Sequence, residues 1–264
     1  MPFSIMPNSI LKQRVQTSFH KSLYSYSQHA VVQTQMAEEL LDRLEQVSQG
    51  RFNAVLEIGC GSGVLTERFL KRFQVKRFHA NDIVKACEEI MSDIFRQYPG
   101  QGCFEFLAGD IETMERIPQN LDLVISNAAV QWLDDFEGFL SRIRAQLTPN
   151  AILAFSTFGP RNLEEIRALS GNSLDYLSLQ HIEACLKQHF QRISCTEARS
   201  VLSFSSPRQV LNHLRLTGVN GISKQRWTKT DLQNFERRYQ ECFKKADGTL
   251  ALSYHPILCL ARKA

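Results

Sequence analysis

The chain has 264 residues, of which 43% are hydrophobic and 22% charged, proportions that fit a water-soluble globular protein with a sizeable core. Its net charge of +4 is a mild basic excess, well short of a nucleic-acid-binding signature. The seven cysteines (Cys60, Cys87, Cys103, Cys185, Cys195, Cys242 and Cys259) are scattered, odd in number and free of any C-x-x-C pair. That spacing argues against a disulfide framework and structural zinc, and for a reducing cytoplasm.

The opening MPFSIMPNSILKQ lacks the basic start and sustained apolar segment of a secretory signal. No apolar run approaches membrane-spanning length, so a soluble intracellular protein without a membrane partner is expected. Residues 10–48 read as helical, because Met36, Leu40, Leu41, Leu44 and Val47 recur at helical spacing. From Asn53 onward short apolar runs alternate with helical segments. The predicted strands are AVLEIG, VKRFHAND, CFEFLAGD, LDLVISNA and AILAFST, with VLTERFLKRF and FEGFLSRIRAQL as intervening helices. Such alternation predicts an α/β fold, a mostly parallel sheet covered by helices on both faces. Right-handed crossovers place the loops that follow the strands along one ligand-binding edge.

Beyond Phe158 the pattern loosens. GPRNLEEIRAL and SLQHIEACLKQHF read as helices and QRISCTEARSVLSF as a strand. Another helix starts at Ser206-Pro207, and TKTDLQNFERRYQECFKK reads as one with Thr230 and Gln233 at capping-box spacing. LALSYHPILCLAR reads as a terminal strand. The expectation is one domain over 1–264: N-terminal helices over 1–50, a cofactor-binding core over 51–160, a helical lid over 160–250 around the sixth strand, and a terminal strand over 250–264.

In VLEIGCGSG, three glycines (Gly59, Gly61 and Gly63) follow a strand and precede a helix, where they permit a tight turn and close backbone approach. The spacing is G-x-G-x-G, with Val64 where the dinucleotide fingerprint would continue, which weakens a nicotinamide or flavin reading. Glu57, two residues upstream, suits a cationic ligand better than a pyrophosphate. S-adenosylmethionine carries an ammonium and a sulfonium and no phosphate, and E-x-G-x-G-x-G resembles the first motif of the S-adenosylmethionine-dependent methyltransferases. Two more acids follow at strand ends. Asp82 lies about twenty residues on, where a carboxylate accepts ribose hydroxyls. Asp110, with Ile111 beside it, closes the next strand, and the resemblance implies a place near the adenine amino group. The bland alternatives are helix caps near Ile83 and over IETMERI. Asn127, in ISNAAVQW, follows the fourth strand, where donor and substrate are expected to meet. Trp132 ranks lower, as a helix-entry packing residue or a wall of the substrate site.

Almost the whole chain resembles the malonyl-acyl carrier protein O-methyltransferases of biotin synthesis. The likeness runs through FHKSLYSYSQHAVVQ, AGDIE, SNAAVQW, STFGPRNLEEI, LRLTGVNG and LSYHPILCLARK; YSQHA, LTGVNG and SYH carry the narrower assignment. It departs where NDIV lacks the usual serine and Arg215 stands in place of a common lysine. The resemblance implies a Rossmann-like class I methyltransferase fold with a seven-stranded sheet and a helical lid. It further implies methyl transfer from S-adenosyl-L-methionine to the free carboxylate of malonyl-phosphopantetheine on acyl carrier protein, leaving S-adenosyl-L-homocysteine and a methyl ester that primes pimeloyl synthesis. Tyr26 matches the tyrosine that closes over the cofactor and, with Asn127, is assigned to positioning. The acceptor is already ionised at neutral pH, so no general base is required. Arg215 is the candidate cation for its carboxylate, with Tyr254 as a second donor. Basic residues at Arg208, Lys224, Arg226 and Lys229, and at Arg237, Arg238, Lys244 and Lys245, suit an acidic carrier. A small-molecule carboxyl methyltransferase, such as one acting on trans-aconitate, is the alternative. A nucleic-acid methyltransferase is disfavoured by the modest charge and by SNAA in place of a D/N-P-P-Y/W segment.

Overall fold

The computed structural model describes residues 8–171, 174–218 and 228–264. Two helices come first, α1 (Asn8–His29) and α2 (Val31–Val47), separated at Ala30, within the stretch that reads as helical. The α2 stripe of Met36, Leu40, Leu41 and Leu44 is buried, as its spacing requires.

Strands and helices then alternate: β1 (Arg51–Ile58), α3 (Val64–Arg72), β2 (Gln74–Asp82), α4 (Cys87–Arg96), β3 (Cys103–Ala108), β4 (Leu121–Asn127), a 3-10 turn (Val130–Trp132), α5 (Phe136–Gln146) and β5 (Leu147–Phe158). The remaining elements are α6 (Glu164–Ser170), α7 (Leu179–His189), β6 (Gln191–Glu197), β7 (Ser200–Phe204), α8 (Pro207–Leu216), α9 (Lys229–Phe243), β8 (Leu250–Tyr254) and β9 (Pro256–Arg262). The main sheet has seven strands in the order β3-β2-β1-β4-β5-β9-β6. Neighbours from β3 to β5 are parallel, and β9 runs antiparallel between β5 and β6. The expected seven-stranded, mostly parallel fold is present.

Alternation along β1 divides the core between the two faces of the sheet. Val55 packs with Leu40, Phe69, Phe73 and Met91 beneath α2, α3 and α4. Ala54, Leu56 and Ile58 pack with Leu140, Ile143 and Leu186 beneath α5 and α7. A third apolar cluster joins Met36, Phe158, Leu214, Tyr239 and Tyr254 under the added elements.

Two predicted strands are each two. QRISCTEARSVLSF divides into β6 and β7, and LALSYHPILCLAR divides into β8 and β9 around His255. Pro256 has no amide hydrogen and stands at the first position of its strand, where a ladder tolerates it. β7 and β8 form a separate antiparallel pair, so the region expected to be helical also carries a small sheet. The α9 capping box uses Thr228 and Asp231, two residues before the predicted Thr230 and Gln233. Lys224, Arg226 and the last three residues of LTGVNG lie outside the described residues.

Candidate active site

The loops after β1, β2, β3 and β4 meet along one edge of the sheet, and α1 lies across them. Between them is a cavity of about 150 Å³ lined by Tyr26, Glu57, Gly59, Gly61, Asp82, Asp110, Ile111, Asn127 and Trp132, among others. Nine of the twelve predicted site residues therefore share one cavity. Gly63, Arg215 and Tyr254 are outside its lining.

The glycine turn is built by sterics. Gly59 has φ +69°, and a Cβ there would come within 2.3 Å of the Ala129 Cβ. Gly61 has φ +51° and nothing within 4 Å of an added Cβ, so its backbone is open to close approach by a ligand. Gly63 begins α3 and packs against Ile94.

Glu57 ends a strand buried on both faces and is itself only 1% exposed. Its carboxylate accepts a hydrogen bond from Thr66 Oγ1 at 2.5 Å. Burial pushes its pKa up to about 8, against the Thr66 bond, and the charge of Asp82 pushes the same way. Asp82 accepts from the Gly61 and Val84 amides at 2.9 and 2.8 Å. Burial still holds it above the usual carboxylate range. The cavity floor thus carries two mutually repelling acids, neither of them paired with a cation among the described residues. Such a site is stabilised by a ligand that brings positive charge.

Asp110 caps a local turn, accepting from the Glu112 amide at 3.0 Å, but no helix forms over IETMERI. Its other oxygen accepts from Lys12 at 2.7 Å. Lys12 also pairs with Glu112 and Asp134, and Gln16 donates to the Ile83 carbonyl at 2.7 Å. These polar ties fasten α1 over the cavity. An aromatic tie adds to them: Phe19 stands between Tyr26 and Trp132, with ring centroids 6.0 and 5.9 Å away.

Asn127 is held at both ends. Its amide donates to the Gln33 carbonyl at 3.0 Å and its oxygen accepts from the buried Ser156 hydroxyl at 2.6 Å. The following Ala128 has φ +53°, a left-handed conformation that strains a non-glycine residue and concentrates at functional sites. Ser156 restrains it, because the Ala128 amide reaches both the Ser156 carbonyl and its hydroxyl.

A second cavity adjoins the first and shares Lys12, Trp132 and Leu133 with it; Gln131, Thr157 and Tyr176 also line it. Trp132 is thus common to both. Its indole Nε1 and the Ser62 hydroxyl are buried polar atoms with no hydrogen-bond partner among the described residues. Buried donors are rarely left unpaired in a finished site, and both side chains belong to the lining of the first cavity.

Arg215 lies on the exposed face of α8, hydrogen-bonded to Asn212 Oδ1 at 2.8 Å. Tyr254 is fully buried and shares a 2.8 Å hydrogen bond with His213 Nε2, which pins β8 to α8. Sequence reasoning missed Lys12, Thr66 and Ser156. Only Thr66 had a signal, since position 66 faces the end of β1 from the first turn of the following helix.

The donor set fits a cationic nucleoside: an open glycine turn, two buried acids, a third acid at the next strand end and unpaired donors. A family described as methyltransferase domain matches residues 55–150. A malonyl-acyl-carrier protein O-methyltransferase of Chlorobium luteolum is 39% identical over 253 residues, covering 96% of this chain and 95% of that protein. Among solved structures, a putative methyltransferase of Bacillus halodurans shares the fold with a TM-score of 0.58 and 16% identity, covering 84% of this chain and 98% of that one. The Haemonchus contortus phosphoethanolamine N-methyltransferase 2, solved with S-adenosylhomocysteine, superposes with a TM-score of 0.53 and 17% identity, over 86% of this chain and 52% of that one.

Proposed function

The chain belongs to the malonyl-acyl-carrier protein O-methyltransferase family, and on that premise we propose how its residues move a methyl group from S-adenosylmethionine to the free carboxylate of malonyl-acyl carrier protein. The observation that carries the reading is the pair of buried acids, Glu57 and Asp82, in one cavity with the glycine turn.

When bound, S-adenosylmethionine supplies an electrophilic methyl on a cationic sulfur. Glu57 holds the ammonium end, and Gly59 and Gly61 admit the ligand against bare backbone. Asp82 accepts the ribose hydroxyls. Asp110 and Ile111 frame the adenine, and Tyr26 closes the cavity from α1.

The acceptor enters from the second cavity. Malonyl carboxyls ionise near pH ~4, as model carboxylic acids do, so no residue has to remove a proton. The chain supplies alignment and dryness. Well-oriented reactants can save ~7–11 kcal/mol of barrier, and a carboxylate stripped of water is the better nucleophile. Asn127, locked between Gln33 and Ser156, fixes the wall at which the two ligands meet. Trp132 offers its unpaired indole N–H to the acceptor carboxylate. Arg215 lies on the exposed face of α8, outside the lining of both cavities.

The carrier docks outside the cavity. Several basic residues assigned to that surface are internally paired, Arg208 with Glu236 and Arg237 with Glu241, so the carrier's acidic groups compete with existing partners. No helix among the described residues is long and apolar enough to cross a membrane.

The test is mass spectrometry of malonyl-acyl carrier protein incubated with the protein and S-adenosylmethionine. One methyl gained on the acyl group supports the reading; methylation of free dicarboxylates alone refutes it. Trp132→Phe is expected to raise KM for the carrier-bound acceptor while leaving cofactor affinity unchanged.

A further inference from the structure

Away from the cofactor cavity, three side chains of different chemistry converge between α5 and α7. His181 and Cys185 are four residues apart on α7, and therefore on one face of that helix. Glu137 comes from the first turn of α5. One ligand atom from each lies within 4.8 Å of the others, and the Cys185 thiol donates to Glu137 Oε1 at 3.4 Å. Cys185 is buried while Glu137 and His181 are exposed, so an ion can reach the cluster from solvent and come to rest against the core.

We propose that Glu137, His181 and Cys185 form a zinc site that fastens α5 to α7. The donor set selects the metal. Imidazole, thiolate and carboxylate together favour zinc over the hard cations calcium and magnesium, which take oxygen ligands. Three protein ligands leave one of the four tetrahedral positions to water. On binding, the Cys185 S–H bond breaks, its proton goes to solvent, and a sulfur–zinc bond forms with no change of oxidation state. Glu137 and His181 also belong to the lining of the second cavity, so the ion stiffens part of that wall. The sequence reading of no metal rested on the lack of a local cluster. Glu137 lies 48 residues from Cys185, and only the fold unites them.

The test uses the full chain, stripped with a chelator and titrated with zinc against a chromophoric competitor. One zinc per chain is expected, with affinity weakened about a hundredfold or more by either His181→Ala or Cys185→Ser. Cys103→Ser and Cys242→Ser, at exposed thiols, leave it unchanged. Cobalt in place of zinc is expected to show a sulfur-to-metal charge-transfer band that Cys185→Ser abolishes. Circular dichroism confirms that each variant is folded before titration. No binding in the micromolar range, or zinc binding indifferent to both α7 substitutions, overturns the site.

Discussion

Lys12 Nζ stands 2.7 Å from Asp110 Oδ2, an ion pair that ties the N-terminal helix to the strand end assigned to the adenine. Asp134 approaches the same ammonium at 3.2 Å, from the loop beyond β4. The lysine therefore straps two walls of the cavity together. Lys12 itself lines the cavity, so loosening its contacts would free α1 at the cofactor's entrance.

Lys12→Met is expected to raise cofactor association and dissociation rates by about two- to fivefold, the scale of a partly exposed ion pair. Wild-type rates should climb with salt, which screens the pair, while the variant's stay flat. Stopped-flow tryptophan fluorescence reads both, and equal salt dependence in the two proteins would remove Lys12 from the gating contact.

Glu57 titrates near pH 8, and an ammonium ligand selects its ionised form. Below that pH, cofactor binding must drive a proton off the carboxyl. Affinity is therefore expected to rise with pH towards about 8 and to fall above it, as the ligand's own α-ammonium (pKa ~7.7–8.0) loses its proton, and binding near neutrality should release a proton. Calorimetry in buffers of different ionisation enthalpy measures that release, which Glu57→Gln should eliminate. A proton count of zero in the wild type contradicts the assignment.

Thr66 donates to Glu57 from a fully buried hydroxyl, which favours the charged carboxylate. Thr66→Val is expected to move the Glu57 midpoint upward and weaken cofactor binding. A hydrogen bond to a charged group contributes ~1.5–3 kcal/mol, about 10- to 100-fold in affinity. The turnover number at saturating cofactor should be retained. Titration calorimetry and steady-state kinetics separate the two effects, and a loss of kcat alone would argue against a positioning role.

His213 is buried against Tyr254, and burial lowers its pKa to about 4 from the usual 6.5. The unfolded chain then binds the proton more readily, so this group's contribution to stability is present above pH 6.5 and is lost as pH falls towards 4. Glu57 acts with the opposite sign, because its raised pKa makes the fold relatively more stable on acidification below 8. The difference between wild type and His213→Gln isolates the histidine. Urea midpoints measured from pH 7 to 4.5 should converge on acidification, and parallel curves would rule the histidine out.

Much of this arrangement could be read from local pattern. The glycine turn and the three strand-end acids announce themselves because each rests on a short segment whose geometry its own residues dictate. Tyr26 came from resemblance, not from periodicity. What was hidden depends on distance along the chain. Ser156 locks Asn127 from 29 residues away, and Lys12 reaches Asp110 across 98. An isolated serine in a buried strand and a lysine on an N-terminal helix carry no mark of those partners. Arg215 shows the effect of helical phase: Leu214 and not its neighbour enters the core, and the arginine lies on the exposed face of α8.

β9 occupies the gap between β5 and β6 and is hydrogen-bonded to both, yet it follows both in the chain. During translation, the sheet must therefore wait with an unfilled slot, two raw edges facing each other, until its latest-made strand emerges and slides in. The strand just before it, β8, separated from β9 by His255 alone, is the partner of β7 in the small sheet. Completion of the scaffold and assembly of the outer layer are thus a single late event, and a nascent chain stalled before it would expose edges prone to pairing with other molecules.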